Sequence, residues 1–142
     1  MSIRPSVSLI LAVVVGLGAS AVQARDLTFA ERVRAQQAIE RVYYSHQVGA
    51  TRPFDEAVPG AVLEKKVRTY LGQSAALEKY WHTPVTAEAL RKELERIATK
   101  TRFPDRLREV YAALGNDPFL VQECFARPAL VDRLSRSFFA SD

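Results

Sequence analysis

Behind residue 24 the apolar residues of this chain return every three or four positions, and no window alternates apolar and polar side chains for the length of a strand. That period fits helices and little else. Thr28 with Glu31 three residues later is the signature of a capping box, and Phe29, Val33, Ile39, Val42 and Tyr43 follow on a helix predicted to end near Ser45. His46 to Ala57, with Gly49 and Pro53, loses the period and reads as a loop. Pro59 suits a first helical position, and Leu63, Val67, Tyr70, Leu71, Ser74, Leu77 and Trp81 form the longest apolar stripe. Pro84 stops that helix, and Thr86 caps the next, with Leu90, Leu94, Ile97 and Ala98 inward and Glu88, Arg91, Lys92 and Glu95 outward. A short helix starts at Phe103-Pro104-Asp105, turns Leu107, Val110, Tyr111 and Leu114 inward and closes at Gly115. Asp117 then caps and Pro118 begins a helix carrying Leu120, Val121, Cys124 and Phe125, and Pro128 is expected to restart a last one with Leu130, Val131, Leu134 and Phe138. The predicted fold is all-α, a single domain of five or six helices.

The first residues say where such a domain works. Arg4 precedes an apolar run from Val7 to Leu17, too short to span a bilayer comfortably, and Gly16, Gly18 and Ser20 lead to Ala21-Val22-Gln23-Ala24, small residues where a signal peptidase cuts. The expectation is a signal peptide over 1–24, cleavage after Ala24, and a mature domain over 25–142 in the periplasm or secreted. Of 142 residues, 48% are hydrophobic and 25% charged, which excludes collagen-like and strongly disordered chains. One cysteine, Cys124, allows no internal disulfide, so the core must hold the domain unaided.

Reactive chemistry finds no foothold in the residue pattern. His46, His82 and Cys124 are too scattered for a metal centre, and Cys124 lies among apolar neighbours, which makes a buried, inert thiol. The glycines form no phosphate-binding loop. Glu93 and Glu95, two apart on a helix, point in different directions and are expected to be surface charges. Neither a cofactor nor a metal is expected, and Asn116-Asp117-Pro118 is accounted for by capping.

Charge and aromatic residues remain. Without Arg4, 19 basic residues face 16 acidic ones, a mild excess of about +3, but it is concentrated in Arg91, Lys92, Arg96, Lys100, Arg102, Arg106 and Arg108. In an exported chain this surface would meet acidic stretches of another polypeptide or anionic lipid headgroups rather than nucleic acid. Pairs such as Glu88 with Lys92 and Arg91 with Glu95 stand at helical spacing and would neutralise part of it. Tyr43-Tyr44, Tyr80-Trp81 and Phe138-Phe139 are adjacent pairs that cannot both enter one core. Some aromatic area must therefore face outward, where it can contact extended chains without demanding a fixed sequence.

The run Leu77-Glu78, then Pro84 to Ala98 with its V-T-x-E-x-L helix start, then Pro104 to Gly115, resembles the helical N-terminal segment of SurA-type periplasmic chaperones. Leu63, Val67, Leu71, Leu77, Val85, Thr86, Leu90 and Ile97 stand at comparable places, and the resemblance covers Ala61 to Asp142. It implies helices that cradle unfolded outer-membrane proteins. In that family the segment is paired with a parvulin peptidyl-prolyl isomerase domain, which has no counterpart here, so catalysis is not carried over. The expected function is a chaperone-like, non-catalytic module for unfolded or extended polypeptides. Its binding groove should lie between the long helix and those after Thr86, lined by Tyr70, Leu77, Trp81, Leu90 and Phe103, with the basic residues attracting clients. The alternatives are the front piece of a truncated isomerase and a structural subunit of an envelope complex.

Overall fold

Helix α1, Phe29–Ser45, begins on a reciprocal cap: Thr28 Oγ1 accepts the Glu31 N–H at 3.2 Å, and the Glu31 carboxylate accepts the Thr28 N–H at 2.8 Å. The Thr28 backbone bond and the Arg25 guanidinium hold the Glu31 carboxyl at about 2, far below its ordinary 4.5. This is seen in a computed structural model that describes residues 25–141. The expected signal peptide lies outside the described residues. Within them, no helix is long and apolar enough to cross a membrane.

The expected loop contains one helical turn, α2, Phe54–Ala57. Phe54 explains it by packing edge-on against Tyr44, 5.6 Å between centroids, under the Arg41 guanidinium at 4.3 Å. The long helix α3 runs Gly60–Trp81, and Pro59 caps it rather than opening it. His82 ends it before Pro84 is reached, in the left-handed region at φ 50°, and the N–H groups of His82 and Thr83 turn back to the Leu77 carbonyl. Helix α4, Ala87–Lys100, has Thr86 Oγ1 accepting the Ala89 N–H at 3.1 Å, and α5 spans Pro104–Ala113. Gly115, φ 68°, and Asn116, φ 53°, reverse the chain, and Asp117 then caps the next helix through the Phe119 N–H at 2.9 Å.

Pro128 does not restart a helix, contrary to expectation. Residues 118–139 form one continuous helix, α6, in which Pro118–Leu120 leads through a π-helical turn, Val121–Ala126, into Arg127–Phe139. A proline lacks the N–H that an α-helix needs and its ring crowds the carbonyl four residues back. The wider turn immediately before Pro128 relieves that crowding and lets the axis continue. The six helices, with no strand among the described residues, make the fold all-α.

Continuity of α6 decides the packing. Its last half lies along α3, its π turn and the following residues lie against α4, and the π turn also meets α1. Val131 of α6 is sealed among Val67, Tyr70 and Leu77, while Ala126 and Leu130 bury against Leu90. A further cluster joins Ala35 and Ile39 of α1, Val110 of α5 and Val121 and Cys124 of α6. Between α3 and α4 the expected groove is thus filled by α6, and α3 shares an opening only with α1 and α6 among the described residues.

Glu93 also departs from expectation. It is no surface charge but 2% exposed, because positions 90, 93 and 97 share the α4 face turned toward α6. Its carboxylate accepts from Arg96 at 2.6 Å and from Arg133 of α6 at 2.8 Å. Arg96, ahead of the opposing effect of burial, holds the Glu93 carboxyl below its ordinary range, with Arg133 assisting. Glu95 is exposed, as expected. Ala98 is exposed too, outside the inner face assigned to it.

Candidate functional site

The five side chains expected to line a groove do not share a surface. Tyr70, Leu77 and Leu90 are buried in the core; α6 covers Leu77 and Leu90, and Tyr70 shows only a small edge, in a crevice between α1, α3 and α6. Trp81 is partly buried, its face stacked on Phe138 at 5.4 Å and 19°. Only Phe103 stands out in solvent, 60% exposed. Burial is the correction for the first three: they stabilise the domain instead of offering contact area.

The adjacent aromatic pairs divide between inside and outside, as their geometry requires. Tyr80 is 64% and Phe139 70% exposed, whereas their neighbours Trp81 and Phe138 pack together. Tyr43 is 43% exposed, and Tyr44 turns to Phe54 and donates to the Arg52 carbonyl.

The basic run separates just as clearly. Arg91 pairs with Glu88 at 2.7 Å and also with Glu95, Lys92 reaches Glu88 at 3.6 Å, Arg96 serves Glu93, and Arg108 pairs with Asp105. Most of α4 is therefore a neutralised, solvated face. Lys100, Arg102 and Arg106 have no carboxylate within 4 Å among the described residues. They stand around the turn from α4 into α5: Lys100 ends α4, Arg102 lies in the linker and Arg106 in the first turn of α5.

At that turn lies a pocket of about 260 Å³. Tyr43 comes from α1, Ile97 from α4, Phe103 from the linker, Arg106 and Val110 from α5, and Phe125 from the π turn of α6. Its walls are largely apolar. The Arg106 guanidinium lies 4.8 Å over the Phe103 ring, and its Nε is shielded from water with no hydrogen-bond acceptor. Burial, with Glu40 adding to it, raises the Tyr43 pKa against the influence of Arg106, so the phenol stays a neutral donor at ordinary pH. The arrangement can hold an apolar side chain and offer positive charge beside it.

A larger crevice, about 410 Å³, lies between α1, α3 and α6. Several of its charges are paired: Glu40 accepts from Lys66 at 2.6 Å and from Gln36 at 2.8 Å, and Asp132 pairs with Arg136, while Lys65 has no carboxylate within 4 Å among the described residues. Its walls are about as apolar as those of the corner pocket.

Reactive groups elsewhere are engaged or inert. Burial pushes the Cys124 thiol up to about 11, so it is protonated and unreactive at neutral pH. Burial alone would raise the neighbouring Glu123 carboxyl, yet Arg127 and Arg32, at 2.9 and 3.2 Å, hold it below the ordinary range. His46 shares a 2.6 Å hydrogen bond with Glu109, and His82 does its work through its backbone. Among the described residues, no three His, Cys, Asp or Glu side chains converge as metal ligands.

Sequence reasoning missed Tyr43 and Phe125 as site residues, because the pocket joins five elements far apart in the chain. The usable signal was local: an aromatic residue before a helix-starting proline, with cations at 100, 102 and 106 on both sides of it. No protein-family model, curated protein or solved structure matches this chain significantly.

Proposed function

We propose that this chain is an exported, non-catalytic holding module that takes unfolded or extended polypeptide segments at the corner between α4 and α5. The observation that carries the reading is the open apolar pocket under Phe103, bordered by Lys100, Arg102 and Arg106 with their charges unspent. Apolar contact supplies affinity for a side chain that a folded client would hide, and the cations raise the encounter rate with acidic stretches. The interior stripe of α3 takes no part. Client contact is confined to a surface that exists without rearranging the core.

The test is suppression of aggregation of a denatured outer-membrane protein by the purified chain, beside a double Tyr43→Ala, Phe103→Ala variant. Both side chains are substantially exposed, so the variant should retain the helical circular dichroism of the parent. The parent should slow aggregation and the variant should lose most of that effect. A parent no better than an inert control protein would overturn the proposal.

A further inference from the structure

We infer that the corner pocket is selective for acidic-apolar segments: it seats a large apolar side chain while Arg106 receives the carboxylate of a nearby Asp or Glu in the same extended chain. The inference rests on the binding reading above and specifies its substrate class.

Arg106 is the centre of the argument. Arg91, Arg96 and Arg108 each have a carboxylate of the same domain within reach, whereas Arg106 has none among the described residues. Its guanidinium lies over the Phe103 ring. A shielded donor without an acceptor is unfavourable, and a planar guanidinium offers two parallel donors to a carboxylate. Phe103 is exposed enough to lift away from the pocket, which would uncover Nε while an apolar side chain enters beside it. The pocket has room for roughly one large side chain, too little for a packed helix.

The surrounding charges agree. Thr101, Phe103 and Arg106 line the pocket, and Lys100 and Arg102 are the chain neighbours of those residues. The acids closest in sequence are occupied, Asp105 by Arg108 and Glu109 by His46. An incoming carboxylate therefore meets three cations and no unpaired acid at this turn. Three cations along one short segment match several carboxylates spread along a chain better than a single terminal one, so the ligand is an internal acidic stretch.

The deciding experiment is fluorescence anisotropy of the full chain with two labelled peptides. One carries alternating Phe and Glu, the other Phe and Gln. The acidic peptide should bind at least about tenfold tighter than its amide counterpart, with the difference shrinking as salt rises. Arg106→Gln should abolish the difference between the two peptides. Arg106→Lys, which keeps the charge and loses the fork, should retain an intermediate preference. Equal binding of both peptides by the parent would refute the selectivity and leave the holding function standing. Binding of neither would overturn both, and an acid preference that survives Arg106→Gln would refute the role assigned to that residue.

Discussion

The α3 stripe and the α4–α5 corner begin from similar materials, aromatic and aliphatic residues placed on helical faces, and end in opposite states. Along α3, Leu63, Val67, Tyr70 and Leu77 are buried, and α6 seals much of that stripe with Val131. At the corner, Phe103 lies in the linker between α4 and α5 and is exposed among the described residues. Apolar area is spent on stability where a partner helix runs alongside and stays available where the chain turns. The same contrast holds for charge, since Glu93 and Glu123 are locked between arginines while Lys100, Arg102 and Arg106 have no carboxylate partner among the described residues.

The strongest test of that contrast compares Leu77→Ala with Phe103→Ala in urea unfolding. The first should cost about 3 kcal/mol, because it removes methylenes from a closed site that collapses poorly, and the second less than about 0.5 kcal/mol. Equal losses would break the comparison.

The charged counterpart is next in size. Removing both partners of Glu93, as Arg96→Ala with Arg133→Ala, should cost about 2–3 kcal/mol by leaving a buried carboxylate unpaired. The figure is set below that of a fully buried pair because both arginine side chains are nearly half exposed. Lys100→Ala with Arg102→Ala should leave stability within about 0.5 kcal/mol, which the same urea titration would show.

Acid should act on the sealed side as well. The folded-state pKa values of Glu31, Glu93 and Glu123 are lowered, so the stability they contribute is complete above the ordinary carboxylate value of 4.5 and is lost as pH falls through the folded values, about 2 for Glu31. Thermal melts at pH steps from about 5 to 2 should show a shallower loss for Glu93→Gln than for the parent. A parallel decline in the two proteins would remove Glu93 from the account.

The smallest effect is a gain. His82 holds a left-handed conformation that disfavours any side chain with a Cβ, so His82→Gly should raise stability by about 0.5 kcal/mol without changing peptide binding at the corner. Altered binding in that variant would show that the two regions are coupled.

Legibility followed the range of the interactions. Caps and turns were readable because their groups lie within three or four residues: Thr28 with Glu31, Thr86 with Ala89, and Asp117 with Phe119 all stand where the sequence puts them. Pro128 was misleading, since a local rule ends a helix there and only the preceding π turn shows how the axis continues. Glu93 was readable in principle, three residues after Leu90 and four before Ile97, but its charge argued against the face its position assigned it. For Phe54, nothing in the loop composition announces a helical turn; its contact with Tyr44 does.

By itself, the sequence determined an all-helical domain, the places where most helices begin, and a surplus of positive charge after Arg91, because periodicity, capping and composition act over short separations. Only the tertiary structure decided which apolar face would be sealed and which cations would remain unpaired. Those outcomes depend on where α6 runs, and a helix's course past its neighbours is fixed by contacts between residues that are distant in the chain.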